Sequence, residues 1–271
     1  MSNLGKNFWA GDITLSRAAE SLHTSQTITS PYEGNPIDLT IFVSCYNEEI
    51  YIEETLTTIT KAMSIVQKTY EIIVVDDGSK DKSVSLVQKF IADHPDVNLI
   101  LRVNKKNKGL AQNFVDCAFI GRGKYYRLIC GDNAEPIETI VSVLKLMGEA
   151  DMIIPYYVSA EGKSLYRRSV SKLYTTLINI ISGNRMHYYN GLQVHLRHNV
   201  MRWHPNTRGF GFQAGLVCLL LEIGFTYKEV PCITIEQRGG GGNAITLKNL
   251  RSVMHTMVSI LMRRLVAPKR G

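Results

Sequence analysis

Short apolar runs that stop abruptly at polar residues punctuate the first half of this 271-residue chain. Asp38 to Cys45 runs into Tyr46-Asn47-Glu48-Glu49, and Glu71 to Val75 runs into Asp76-Asp77-Gly78-Ser79-Lys80-Asp81. Each run is rich in β-branched residues and is followed by apolar positions at helical spacing, the pattern of a buried parallel strand feeding a crossover helix. The same reading predicts helices over Glu48 to Val66 and Asp81 to Ala92, a strand over Val97 to Val103 and a helix near Leu110 to Ile120. Strands follow at Lys124 to Cys130 and Asp151 to Pro155, and a long helix begins at Leu165. Gly209 to Gln213 opens an apolar helix through Ile223, then comes a strand around Tyr227 to Pro231 and a basic amphipathic helix from Leu247 to Leu265. The alternation predicts an α/β fold with a mixed, mostly parallel, Rossmann-like central sheet flanked by helices.

In an open parallel sheet, small molecules bind beyond the carboxyl ends of the strands, and two carboxylates with a glycine turn there suit a ribose and a base edge. No G-x-G-x-x-G or P-loop pattern follows either run, which argues against an ordinary dinucleotide or ATP fold. A nucleotidyltransferase would need a basic, glycine-rich N-terminal loop, and the sequence has none.

The segments VSCYNEE (43–49) and EIIVVDDGSKDKS (71–83) resemble the strand ends of the inverting glycosyltransferases of family 2, which have the GT-A fold, and the resemblance covers about residues 38 to 250. It implies transfer of a sugar from a nucleotide-diphosphate sugar, with Tyr46, Glu48 and Asp77, and Asp76 as neighbour, lining base and ribose. Asn104 to Gly109 is a basic turn into the next helix, where Asn107, Gly109 and Asn113 match the family and Lys108 is a further donor contact. Gly131-Asp132-Asn133-Ala134-Glu135-Pro136 falls where the family carries its D-x-D metal motif, and Pro136 with Glu138 registers the match to the dolichol-phosphate mannosyltransferase branch.

Cys130 stands where that motif has its first Asp, and Asp132 where it has the second. Mg²⁺ or Mn²⁺ takes hard oxygen ligands, so Asp132 is the expected metal ligand, Asn133 or Glu135 could add an oxygen, and the thiol is a poor substitute. Gly131 and Asn133 count with the donor loop. A binding protein whose chemistry decayed with the missing Asp is the alternative in a different class.

Leu165 to Lys172 resembles the stretch in polyprenyl-phosphate sugar transferases whose arginine faces phosphate, which makes Arg168 a catalytic candidate and Arg167 its partner at the diphosphate. Guanidinium forks grip phosphate bidentately. Asn190-Gly191-Leu192-Gln193 matches a family segment in which Gln193 is an arginine and His187 an aspartate. Gln237-Arg238 and the four glycines that follow resemble a mobile loop that closes over donor phosphates, with Arg238 at its base.

Composition adjusts this picture. With 45% hydrophobic and 20% charged residues the chain can bury one large core, read as an N-terminal extension (1–36), a glycosyltransferase domain (37–245) and the terminal helix (246–271). No run has the length of a membrane span and residues 1 to 36 are too polar for a signal peptide, so a cytoplasmic location is expected. Five cysteines without C-x-x-C spacing read as reduced core residues, and the four histidines at 187, 195, 198 and 204 do not form a metal pattern.

The net charge of +7 suits an anionic partner, and its distribution says more. From Gly162 through Leu221 there is no Asp or Glu, while Lys163, Arg167, Arg168, Lys172, Arg185, Arg197, Arg202 and Arg208 all fall inside. A sugar hydroxyl needs a base to become a good nucleophile, and the nearest carboxylates, Glu222 and Glu229, come later; a phosphate acceptor needs no base. The expected acceptor is therefore a polyprenyl phosphate or another lipid-linked phosphate at an anionic membrane face, against a hydroxyl in a surface polysaccharide with Glu222 as its base.

Overall fold

The structure, a computed structural model, describes residues 36–162, 164–204, 211–235, 237 and 247–266. Strands β1 (Leu39–Cys45), β2 (Tyr70–Asp76), β3 (Leu99–Val103), β4 (Tyr125–Cys130), β5 (Met152–Glu161), β6 (Val194–Leu196) and β7 (Tyr227–Ile235) form one sheet in the order β3-β2-β1-β4-β6-β5-β7. All neighbours pair in parallel except β6, which lies antiparallel between β4 and β5. The helices are α1 (Ile52–Val66), α2 (Ser83–Asp93), α3 (Leu110–Ile120), α4 (Ile137–Lys145), α5 (Leu165–Ser182), α6 (Arg197–Met201), α7 (Phe212–Glu222) and α8 (Leu247–Val266).

Because successive strand residues face opposite ways, β1 feeds two cores at once. Phe42 joins Ile73, Tyr126, Leu128 and Ile154 under α3, α5, α7 and α8, whereas Ile41 and Val43 join Ile72, Val74 and Ile129 under α1, α2 and α4. Burying both faces explains why these strands read as continuous apolar runs. Phe42 is fully buried, so Phe42→Ala would remove a large side chain from a dense interior at about 3–5 kcal/mol.

Register sets the site. Ser44 lies opposite Val75 on one side and Cys130 on the other, and Cys45 lies opposite Asp76, so the loops after β1, β2 and β4 leave the sheet side by side. Strand β5 extends to Glu161, well past the expected Pro155, and β6 and α6 were not expected at all. A three-residue strand carries too little periodicity to be seen in sequence. The terminal helix packs into the domain core through its own buried Met257 and Ile260. All five cysteines are free thiols.

Candidate active site

The loops after β1 and β2 are sewn together by reciprocal hydrogen bonds. Asn47 N–H donates to Ser79 Oγ (2.9 Å) and Asn47 Oδ1 accepts from Lys80 N–H (2.8 Å). Glu49 N–H donates to Asp81 Oδ2 and Glu49 Oε2 accepts from Lys82 N–H, both at 3.0 Å. Glu48 N–H donates to Ser83 Oγ at 2.8 Å. Asn47 is left-handed, with φ 56°, a conformation Asn tolerates better than most residues. These roles of Asn47, Glu49, Ser79 and Asp81 are invisible in sequence, because they depend on pairs more than thirty positions apart.

The two aspartates at the end of β2 have different surroundings. Asp77 Oδ1 accepts from Asn104 Nδ2 and Lys108 N–H, and Oδ2 from Gly109 N–H, all at 2.9 Å. Burial works against its charge, yet the bonds from Lys108, Asn113, Asn104 and Gly109 outweigh it and hold the carboxyl below its ordinary value. Asp77 thus fastens the turn before α3, where Asn113 Oδ1 accepts from Asn104 Nδ2 at 2.8 Å. Asp76 Oδ2 accepts from Gly78 and Ser79 N–H, but its buried Oδ1 has no partner among the described residues. The Tyr46 ring beside them is half exposed. Lys108 contributes its backbone; its ammonium pairs with Asp116 at 2.9 Å, away from the carboxylates of β2.

The loop after β4 meets these elements at Gly131, whose N–H donates to Ser44 O at 2.9 Å. A Cβ there would lie 2.8 Å from that carbonyl and 3.3 Å from Glu48 Cγ, so only glycine lets the loop approach Glu48. Asp132 follows, with Oδ1 accepting from Ala134 N–H at 3.3 Å. Glu135 is not available as a second metal oxygen: Arg127 Nη2 reaches both of its oxygens at 3.0 Å, and Tyr157 OH lies 3.4 Å from Oε1. Burial pushes the Glu135 carboxyl up, with Arg127 opposing. The Cys130 thiol is also pushed up, first by burial and then by Asp132, and so stays neutral.

Among the described residues no group of three His, Cys, Asp or Glu side chains converges as a complete metal site. Asp132 is the loop's other carboxylate, and its hard oxygens would suit a divalent cation completed by the oxygens of a bound diphosphate and by water. Asn133 adopts φ 51°, and its carbonyl accepts from Gln237 Nε2 at 3.1 Å while Tyr51 OH donates to Gln237 O at 3.0 Å. Tyr51, which the sequence did not single out, and Gln237 are thereby joined to the Asp132 loop. Arg238, its glycines, Lys163 and Arg208 lie outside the described residues.

Next to this loop, and joined to it through Tyr157, is a cavity of about 390 Å³ between β5 and α5. Arg168, Ser171, Lys172, Tyr156 and His187 are among its lining residues, and no Asp or Glu is among the described ones. Ser164 caps α5 by accepting from Arg167 N–H at 3.3 Å, which places the two arginines in the first turn. Gln193, in the position of the family arginine, is buried and donates to Tyr189 O. Beside it Gly191 fits only because a Cβ would fall 2.1 Å from Pro155 O.

Glu222 is not brought into this site. Helix α7 ends there and leads into the amino-terminal end of β7, which is the opposite edge of a sheet whose ligand loops leave from carboxyl ends. Its carboxylate is paired with Arg263 of α8 at 3.0 Å. The sequence-based expectation of Glu222 as a base is corrected accordingly.

The glycosyl transferase family 2 model matches residues 40–204. A dolichyl-phosphate beta-glucosyltransferase of Dictyostelium discoideum is 33% identical over 121 residues, covering 42% of this chain and 37% of its relative. An undecaprenyl-phosphate 4-deoxy-4-formamido-L-arabinose transferase of Yersinia pestis is 26% identical over 163 residues, covering 60% of this chain and 50% of its relative. The chain thus spans half or less of the length of these curated relatives. In fold it is similar to a Pyrobaculum calidifontis mannosyltransferase solved with GDP-Man and Mn²⁺, with a TM-score of 0.61 at 19% identity, covering 96% of this chain and 72% of that one.

Proposed function

The chain belongs to glycosyl transferase family 2, and from that premise we propose that it transfers a sugar from a nucleotide-diphosphate sugar to a polyprenyl phosphate, with inversion at the anomeric carbon. The observation that carries this reading is the adjacency of the Asp132 loop after β4, itself packed on the loop after β1, to a cavity lined by Arg168 and Lys172 and, among the described residues, by no carboxylate. The acceptors named for the Dictyostelium and Yersinia relatives are of this kind.

On the donor side, Tyr46 offers a ring face to the base, and Asp76 Oδ1 and Glu48 accept from base or ribose donors. Asp77 acts one step removed, by holding the Asn104 to Gly109 turn in place beneath them. Asp132, with Gly131 and Asn133 shaping its loop, would hold Mg²⁺ or Mn²⁺ against the diphosphate, and the ion would offset charge on the departing nucleoside diphosphate. Arg167 and Arg238 are the further diphosphate contacts.

On the acceptor side, Arg168 and Lys172 attract and orient the phosphate, whose oxygen is already anionic and attacks without a carboxylate base. The same helix presents Tyr166, Leu173, Leu177 and Ile180 outward, and α8 exposes Met254, Val258, Leu261 and Leu265. Arg264 of α8 donates to the Ile180 and Ile181 carbonyls (2.9 and 2.8 Å), so the two apolar stripes meet at their C-terminal ends. We assign this face to the surface of an anionic bilayer, from which a lipid phosphate could enter the cavity. Among the described residues no helix is long and apolar enough to cross a membrane.

The test is to offer UDP-, GDP- and dTDP-sugars with undecaprenyl phosphate or with hydroxyl sugars, following free nucleoside diphosphate and lipid-linked sugar. Product on the lipid phosphate is expected. Transfer confined to hydroxyl sugars, or no turnover with any donor, would refute the reading.

A further inference from the structure

His187 lines the cavity, occupies the position of a family aspartate, and is not accounted for by donor or acceptor contacts so far. Its Nδ1 lies 2.7 Å from Glu229 Oε2, and its backbone N–H donates to Glu229 Oε1 at 2.8 Å. The ring stacks on Tyr156, with centroids 4.5 Å apart and planes 18° apart. An ionised carboxylate only accepts, so Nδ1 carries the hydrogen and Nε2 is the nitrogen left for a molecule in the cavity. Nε2 has no partner among the described residues.

The pair spans elements that are distant in sequence. Glu229 sits on β7 with a side chain only 14% exposed, while that of His187 is 65% exposed at the mouth. A covered carboxylate behind an accessible imidazole fixes the ring and its tautomer, the arrangement by which an imidazole takes up a proton without moving. Tyr156 of β5 stacks on the ring, and Tyr157 of β5, the neighbouring Tyr188, and Arg168 and Lys172 of α5 line the same cavity. The buried Tyr157 and Tyr188 hydroxyls are pushed up by burial and stay neutral. Glu229 is thus the anion that balances a charged His187 against those two cations.

Resting on the phosphate-acceptor reading above, we propose that His187, oriented by Glu229, carries the last proton of the acceptor phosphate. A phosphate monoester loses that proton near pH 6, so in the neutral range it reaches the site partly as the monoanion. The proton passes from the phosphate oxygen to Nε2, and the imidazolium remains hydrogen-bonded to the dianion it has created. A phosphate oxygen then forms the bond to the anomeric carbon as the bond from that carbon to the donor diphosphate breaks. The electron pair leaves with the nucleoside diphosphate.

The experiment is the pH dependence of kcat/KM for undecaprenyl phosphate in the wild type, His187→Gln and Glu229→Gln, with thermal melts to establish folding. The last proton of a phosphate monoester is present at about pH 6 and largely gone at about pH 8.5. His187→Gln is therefore expected to lose roughly tenfold or more at the lower pH, the strength of a charge-assisted hydrogen bond, and to come within about twofold of wild type at the higher. Glu229→Gln should show a smaller loss with the same pH dependence. Equal losses at both pH values, or none at either, would overturn the proposal. Failure of the underlying reading looks different: the wild type itself would then use hydroxyl sugars and not the lipid phosphate, and His187→Gln would be impaired on them at every pH, as removal of a general base requires.

Discussion

At the ends of β1 and β2 polar groups are matched densely within the protein: Asp77 receives bonds on both oxygens, and Asn47 and Glu49 each give and take one across the two loops. The cavity between β5 and α5 is built otherwise, with an accessible imidazole, the cations Arg168 and Lys172, and an outward apolar stripe alongside. The first arrangement suits a ligand of fixed shape, because the groups that meet it are held before it arrives. The second suits a phosphate on a flexible lipid chain, where charge and apolar contact matter more than a single geometry. Damage to the donor side should therefore affect catalysis and stability together, and damage to the acceptor side should affect acceptor use alone.

The largest effect is expected at Asp132. Asp132→Ala removes the proposed metal ligand, and turnover should fall by roughly 10²–10³, the usual size of a lost electrostatic contact in a transition state. Steady-state rates at saturating Mg²⁺ and Mn²⁺ check this. A rate within a few-fold of wild type would remove Asp132 from the mechanism.

Asp77→Ala should act on the fold as well as on donor affinity, since it strands the Lys108 and Gly109 N–H groups and the Asn104 amide. A loss of about 2–4 kcal/mol is expected from chemical denaturation. The pH dependence has a definite sign. A carboxyl held below its ordinary value of 3.8 contributes stability that is fully present above that value and is lost as the pH falls through its lower folded value. Asp77→Asn should flatten that acid limb as the pH falls below 3.8, and an unchanged limb would assign it to other carboxylates.

These roles also mark how far the residues alone could lead. Strands β1, β2 and β4 were legible because each is buried on both faces and stops at a polar loop, and Asp76, Asp77 and Asp132 were legible because they stand at those stops. What Asp77 does was not, because its partners lie 27 to 32 positions away and meet it only through the register of β2 with β3. The His187 and Glu229 pair, 42 positions apart, is hidden for the same reason. Glu222 misled because an acid-free stretch directs attention to the next carboxylate, whereas the direction of β7 decides which edge that carboxylate occupies.

On the acceptor side the effects should be smaller and separable. Arg168→Ala should raise KM for undecaprenyl phosphate about tenfold or more, as for a lost charge-assisted hydrogen bond, with donor affinity unchanged by calorimetry. A parallel loss of donor affinity would move Arg168 to the diphosphate. Leu173→Glu with Leu177→Glu should weaken sedimentation with vesicles rich in anionic lipid while shifting stability by no more than about 0.5 kcal/mol, the range for surface substitutions. Unaltered vesicle binding would remove α5 from the bilayer contact.

The division itself is tested most directly by a crystal structure of the protein soaked with a nucleoside diphosphate, UDP and GDP in turn, together with a short-chain polyprenyl phosphate. The account predicts the base against Tyr46 and Asp76, the diphosphate at Asp132, and the lipid phosphate within hydrogen-bond reach of Arg168, Lys172 and His187 Nε2. A nucleotide lodged in the cavity between β5 and α5, or a lipid phosphate bound away from it, would contradict the account.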